Sequence, residues 1–416
     1  MAVKRTSVAN VVALVEDGDT VLLDTSRPRS VGQALAERDG LSDVSVYAFG
    51  VAYTDPAPLA DLADAPGITV SVSMVPPSVR EHLMDGSIKF IPRTLYAAAR
   101  QPQVTDGDGR TFAILQTPPV AGEKHDLGCL TAYGGELVDS ADVAIIEANE
   151  AVPSVADGQT ISSDAIDYEV PVEEPLPILR GTDSGGVERQ IAGNVSGLIE
   201  DSAMVQLGIG SIYPAIAEEL ASQDLTVWTG LVSNGVEPMV EGASVPSVTG
   251  CSALGTDRDF YEWIQGPAGD SIRLASVANT HNPANLHSSD TFVAINSALQ
   301  VDLYGQINAE MLDSKQLSGV GGQLDFMYAA SSSPNGWSVI ALPARSRAGD
   351  PTIVPSIGEG SAVTTPRHCV DAVVTEFGTA RLRNRNADER VHELCRVAHP
   401  DDRDILRREA SNHNLL

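Results

Sequence analysis

Lysine is nearly missing from this 416-residue chain. Lys4, Lys89, Lys124 and Lys315 are the only ones, and arginine supplies the rest of the 27 basic residues. Against them stand 56 aspartates and glutamates, for a formal net charge of -29. A surface this acidic repels a phosphate backbone, which excludes DNA, RNA and anionic membranes as natural partners. The same composition suits a halophilic protein kept soluble in concentrated salt, where charge repulsion is screened. An ordinary acidic enzyme of the cytoplasm is the other reading that composition leaves open.

Cysteine is also scarce. Cys129, Cys251, Cys369 and Cys395 stand far apart with no CxxC pair. That spacing argues against a zinc site and a disulfide framework, and for a reducing, cytoplasmic compartment. No apolar run approaches the ~18 residues of a membrane span. The run VANVVALV after Lys4 and Arg5 is short, is interrupted by Asn10 and is closed by Glu16 and Asp17, so it reads as an amphipathic helix and not a signal peptide. Also missing are a GxxxxGK[ST] phosphate loop, an HExxH pair or tight His/Cys cluster, and a GxSxG elbow. Their absence leaves no basis for P-loop nucleotide chemistry, a metal centre, a permanently bound cofactor or a serine hydrolase.

What is present is a long alternation of apolar strands and helical patterns. With 43% hydrophobic residues over 416 positions, two domains with separate cores are expected. TVLLD, VSVYAFGVA, ITVSVSM, FAILQT and DVAIIEAN read as strands, separated by helical stretches such as SVGQALAER. This is the βαβ pattern of a mostly parallel sheet. After Asn149 the texture turns to AVPSVADGQTISSDAIDYEVPVEEPLPILRGTDSGG, rich in proline, glycine and acids, which reads as a connection between domains. We therefore expect an α/β domain over residues 1–185 and a second over 186–416, opening with ERQIAGNVSGLIE and AMVQLGIG.

Four stretches of the second half carry candidate chemistry. In VQLGIGSIYPAIAEEL, Gly208 and Gly210 end a strand and Pro214 opens a helix, a turn able to present amides to an anion. The same glycines serve equally well in a tight connection. In SGVGGQLDF, Gly319, Gly321 and Gly322 allow close approach of a ligand or merely a bend, with Asp325 placed to fix the turn. Arg345 and Arg347 in ALPARSRAGDP are either phosphate partners or solvated loop charges. In VVTEFGTARLRNRNADERVHELCRVAHPDDR, Val391, Leu394 and Val397 form an apolar helix stripe, Glu376 is a candidate buried carboxylate, and His399 before Pro400 reads as a helix-ending residue.

Taken together these stretches, with FVAINSALQVDLYGQINAE and GSIKFIPRTL, resemble the acetyl-CoA hydrolase and 4-hydroxybutyrate CoA-transferase family. The resemblance implies two open α/β CoA-transferase-like domains with mostly parallel sheets, the second carrying the coenzyme A site. It implies an acyl-CoA:carboxylate CoA-transferase, or an acetyl-CoA hydrolase, acting on short-chain acyl-CoA and a carboxylic acid, as a homodimer or beside an active paralogue. Coenzyme A then enters as substrate, and Gln206, Gly208, Ile209, Gly210, Ser211, Ile212, Gly321, Gly322 and Arg345 are the residues expected to contact it.

The family's catalytic glutamate lies in a motif resembling His-Thr-Glu-Met. This chain has Trp228-Thr229-Gly230-Leu231 there, so Gly230 stands where the nucleophile belongs. Glycine cannot form the acyl anhydride of that mechanism. Trp228 is expected to fill the vacated space. Glu237 is expected two turns into the next helix, too far to substitute, and Glu218 and Glu219 on a solvated helix face. Two functions follow from the resemblance: transfer or hydrolysis without a protein carboxylate, or a non-catalytic CoA or acyl-CoA sensor or silent subunit.

Overall fold

Strands such as Thr20-Val21-Leu22-Leu23 are apolar almost throughout because the sheet they enter is covered on both faces. The computed structural model describes residues 3–49, 58–102, 109–179, 184–242, 245–287, 289–412 and 415. It divides into two compact units. One comprises Met1–Arg180, Thr249–Thr280 and Leu317–Gly321, and the other Gly181–Val248, His281–Gln316 and Gly322–Leu416. The sequence reading divides the chain once, at 185/186, whereas packing returns two later segments to the first unit. Backbone hydrogen bonds hold them there: Ala253 N–H donates to Cys129 O at 2.7 Å and Val277 N–H to Ala132 O at 2.9 Å. The Arg80 guanidinium donates to Leu317 O at 2.6 Å.

The first unit is built on β1 (Lys4–Arg5), β2 (Thr20–Leu23), β3 (Val44–Ala48), β4 (Ile68–Val72), β5 (Ile88–Phe90), β6 (Thr111–Thr117), β7 (Val143–Asn149) and β8 (Tyr168–Val172). Their order in the sheet is β1-β8-β7-β6-β2-β3-β4-β5, and all neighbours run parallel. Alternate residues sort to the two faces. Val21, Leu23, Val46, Val70 and Ile114 pack with Leu35 and Leu62, while Leu22, Tyr47, Ala113, Leu115 and Ile146 pack with Leu137 and Val138. Full burial of each large aliphatic side chain contributes about 1.5–3 kcal/mol.

Strand β8 corrects the reading of residues 151–186 as a connection. YEVPV pairs with β7 from Tyr168↔Ile145 to Val172↔Asn149. Lys4–Arg5 pairs on its other side only with Tyr168 and Glu169, so Pro171 stands where that edge has no strand partner and its missing N–H costs nothing.

The second unit repeats the plan with β9 (Met204–Leu207), β10 (Thr226–Trp228), β11 (Phe292–Asn296), β12 (Trp337–Ala341), β13 (Ala372–Thr375) and β14 (Gly378–Arg381). The order β10-β9-β11-β12-β13-β14 is parallel up to the terminal β13/β14 hairpin. Both units thus have the mostly parallel sheets expected of open α/β domains. β10 lies on one side of β9 and β11 on the other, which makes the carboxyl ends of β9 and β11 a topological switch point. Open α/β sheets bind ligands in the crevice at such points.

The stripe Val391, Leu394 and Val397 is buried on the helix Ala387–Val397. The four cysteines are buried and form no disulfide. Among the described residues no helix is long and apolar enough to cross a membrane.

Candidate active site

The carboxyl ends of β9 and β11 are tied together by polar side chains that terminate apolar strands. Asn296 donates from Nδ2 to Gln206 Oε1 at 2.9 Å, joining the two strands at their last turns. Thr229, just past β10, donates from Oγ1 to Leu207 O at 2.6 Å. Gln206 and Thr229 are buried. Three adjacent strand ends are thereby locked to one another, which is the rigidity a site needs.

The turn after β9 then runs Gly208-Ile209-Gly210-Ser211-Ile212 into the helix Tyr213–Leu220, with Pro214 in its first turn. Gly210 has φ +126°, a region that favours glycine. Gly208 is glycine for a different reason. A Cβ there would lie 2.4 Å from Tyr213 Cζ and Oη, so the ring of this chain's own tyrosine packs where a side chain would be. Ser211 O accepts from Ser184 Oγ at 2.8 Å, which pins the outer limb of the turn. Glu218 and Glu219 are exposed on the helix, as expected.

Gly230 behaves unlike either turn glycine. Its φ lies outside the left-handed region, and a Cβ built on it would meet His281 Nε2 at 3.4 Å, His281 Cε1 at 3.5 Å and Phe326 Cε2 at 4.0 Å. Those are ordinary contact distances, so neither backbone nor crowding demands glycine here. The Trp228 ring is not what stands nearest: Trp228 packs against the core cluster that includes Phe292 and Phe326. The atoms nearest a Cβ at Gly230 thus come from His281 and Phe326 and not from Trp228.

His281 is 1% exposed and precedes Asn282, whose Oδ1 accepts from Ala284 N–H at 3.0 Å and caps the short helix Pro283–Leu286. Burial pushes the imidazole down to about 3, so it is neutral across the physiological range. Its ring lies 4.5 Å from that of Phe326, centroid to centroid. Phe326 sits one turn into the helix Gln323–Ser332, next to the buried Asp325, whose charge suits a helix N-terminus.

The remaining sequence candidates each take part in local packing or hydrogen bonding. The glycine cluster at 319–322 is divided: Gly319 and Gly321 belong to the first unit, Gly322 to the second. A Cβ on Gly319 would come 2.0 Å from Ser73 O, which makes it a packing glycine, and Gly321, at φ +68°, accepts Leu95 N–H at 3.1 Å. Gly322 caps the helix Gln323–Ser332.

Arg345 closes its guanidinium fork on Asp402, with Nε to Oδ2 at 3.0 Å and Nη2 to Oδ1 at 2.7 Å. The hydrogen bonds from that guanidinium hold the Asp402 carboxyl below its usual range. The Nε/Nη2 edge of the guanidinium is taken by this carboxylate, and Nη1 with the second Nη2 hydrogen form its other donor edge. Arg347 is exposed.

Glu376 is half-buried rather than buried, and its Oε2 accepts Ala344 N–H at 2.9 Å, anchoring the loop after β12. His399 follows the end of the helix Ala387–Val397 and opens the next turn, its Nδ1 accepting from Asp401 N–H at 3.3 Å. Glu237 opens the helix Glu237–Glu241 instead of lying two turns inside one.

Sequence reasoning missed His281 and Phe326. Both touch the Gly230 space from segments distant along the chain, and only the fold brings them there. Asn296 carried a usable signal, being a polar residue at the end of the apolar strand FVAIN, where an α/β crevice forms.

Comparison with known proteins adds a family to this geometry. Residues 255–410 match the acetyl-CoA hydrolase/transferase C-terminal domain. The 4-hydroxybutyrate coenzyme A transferase of Clostridium kluyveri is 34% identical over 292 residues, covering 68% of each chain. A succinyl-CoA:cyclohexane-1-carboxylate CoA transferase of Geobacter metallireducens is 34% identical over 296 residues, 68% of this chain and 67% of that one. The crystal structure of RipA from Yersinia pestis superposes with a TM-score of 0.87 at 26% identity, over 99% of this chain and 98% of RipA.

Proposed function

This chain belongs to the acetyl-CoA hydrolase and CoA-transferase family, and we propose that it moves coenzyme A between short-chain carboxylic acids by direct attack of a free carboxylate on the thioester. The observation that carries this reading is Gly230 itself. Its position has no carboxylate side chain, and a Cβ built there would meet His281 and Phe326 only at ordinary contact distances.

In the reaction, an oxygen of the free acid adds to the acyl carbon of acyl-CoA, the C–S bond breaks, and CoA leaves as thiolate. A mixed anhydride forms that is not attached to the protein. The thiolate then adds to its other carbonyl, giving the new acyl-CoA and releasing the donor's carboxylate. No proton or further reactant is consumed. The amides of the Gly208–Ile212 turn, at the start of the helix Tyr213–Leu220, are suited to the CoA thioester and its developing oxyanion. Water entering instead of an acid gives hydrolysis.

Kinetics separate this route from the covalent one. With acyl-CoA and acid varied together in concentrated salt, double-reciprocal lines should intersect, because both substrates are bound before chemistry. Mass spectrometry should find no protein-bound CoA thioester. Parallel lines or a trapped thioester would overturn the reading. Binding of CoA without turnover with any acid would replace it with that of a sensor or silent subunit. Gly230→Glu should convert the pattern to parallel lines, since it returns a carboxylate able to attack covalently.

A further inference from the structure

In a chain with 56 acids, two arginines of the second unit stand together without one. Arg367 opens the short turn Arg367–Cys369 that leads into β13, and Arg390 lies near the start of the helix Ala387–Val397. Arg390 donates from Nη1 to Arg367 O at 3.1 Å and from Nε to Arg385 O at 3.4 Å. Gly305 leaves room for this approach, since a Cβ there would lie 3.0 Å from Arg390 Nη1 and 4.0 Å from Arg367 Cβ. The Arg367 guanidinium carbon is 6.0 Å from the centre of the Tyr304 ring.

The acids of this corner are engaged elsewhere. Asp371 accepts from Arg383 Nε at 3.0 Å and Nη2 at 2.7 Å, Glu389 from Arg385 Nη1 at 3.3 Å, and Glu393 from Arg396 Nη2 at 2.7 Å. Asp302 accepts from the backbone and side chain of Gln306 at 2.9 and 2.7 Å. Asp388 is two residues from Arg390 on one helix, a spacing at which side chains do not face each other. Among the described residues neither Arg367 nor Arg390 forms an ion pair. Burial, and then the charge of Arg367, hold the Arg390 guanidinium below its usual range, so the two cations stand against each other.

We propose that Arg367 and Arg390, beside Tyr304 and Gly305, form a binding site for a phosphate dianion, free or as a simple phosphomonoester, separate from the acyl-transfer site. Two guanidinium groups match the dianion's charge, and their forked donors match its oxygens. The parallel strands keep the two sites apart: Arg367 precedes the amino end of β13, at the opposite end of the sheet from the carboxyl ends of β9 and β11. A dianion held there binds the folded chain alone, so it raises stability by mass action.

The test is calorimetric titration of the full chain with inorganic phosphate, at ionic strength held constant with potassium chloride. One saturable site should appear, and the thermal midpoint should rise with phosphate. Arg367→Gln should weaken binding about tenfold or more, the usual loss for a charged hydrogen-bond partner. The Arg367 side chain makes no hydrogen bond in the folded chain, so this variant keeps its fold, which its midpoint without phosphate reports. Arg347→Gln makes the same change of charge in an exposed loop and should bind phosphate as wild type does. Equal weakening in the two variants, or no saturable binding to wild type, overturns the site and leaves an effect of net charge or bulk ions. Glycerol 3-phosphate, titrated alongside, names the resident form as ester or free ion by which binds more tightly. An Arg367-dependent signal with coenzyme A, but with neither of these two ligands, would place Arg367 in the coenzyme A site and overturn a separate one.

Discussion

Gly208 and Gly230 each follow a strand of the second sheet, but only Gly208 has to be glycine. At 208 any side chain collides with the Tyr213 ring, whose Oη and Cζ lie 2.4 Å from the Cβ position. Gly208→Ala should therefore destabilise the second unit by about 1–3 kcal/mol, the usual range for overpacking. Replacing Tyr213 by a smaller residue in the same chain should recover part of that loss. Urea unfolding of the two variants checks this, and an additive effect of the two changes would show that the ring is not the obstacle. The two glycine roles could not be told apart from the sequence, because Tyr213 packs back over its own turn and His281 reaches Gly230 from a remote segment. Gly230 was legible as a residue out of pattern with the family motif. What surrounds it was not, since those contacts are a property of three segments at once.

At the level of elements, regular patterns were readable where one residue type decides the outcome. The helix Ala387–Val397 announces itself by its apolar stripe, and its start is fixed by Asn386, whose Oδ1 accepts Glu389 N–H at 2.9 Å. Strand β8 stayed hidden because Pro171 and its acidic neighbours read as loop, while its pairing with β7 depends on distant residues. Another long-range tie gives a measurable pH effect. Glu147, fully buried in β7, accepts Val31 N–H at 2.6 Å and so joins the strand to the helix Arg29–Ala36. Burial raises its carboxyl from 4.5 to about 7. Between those values the folded chain keeps a proton that the unfolded chain has released. Stability from this group is therefore fully present below about pH 4.5 and is lost as pH rises through 7, a change on the order of 3 kcal/mol. Glu147→Gln, which cannot ionise, should flatten the stability profile across that window relative to wild type in urea unfolding. Identical slopes in the two proteins would show that the carboxyl is not protonated in the folded state.

For the whole molecule the governing fact is the imbalance of 56 acidic against 27 basic residues. Burial of the apolar cores in both units is independent of that charge, whereas repulsion among surface carboxylates opposes compaction at low ionic strength. Several of the ion pairs present, such as Arg407 with Asp404 and Arg385 with Glu389, are exposed pairs three or four residues apart and contribute little. Most acids therefore have no cation to offset them. Raising salt from ~0.1 M to ~1 M shortens the screening length from about 10 Å to about 3 Å, which weakens repulsion between neighbouring carboxylates. The thermal midpoint should accordingly rise with added potassium chloride. Sucrose, at a concentration that strengthens apolar burial equally, should not reproduce the rise at the lowest salt, because it leaves the charges unscreened. A midpoint that stays flat or falls across the salt series would mean that the acidic surface serves solubility alone and leaves folding stability untouched.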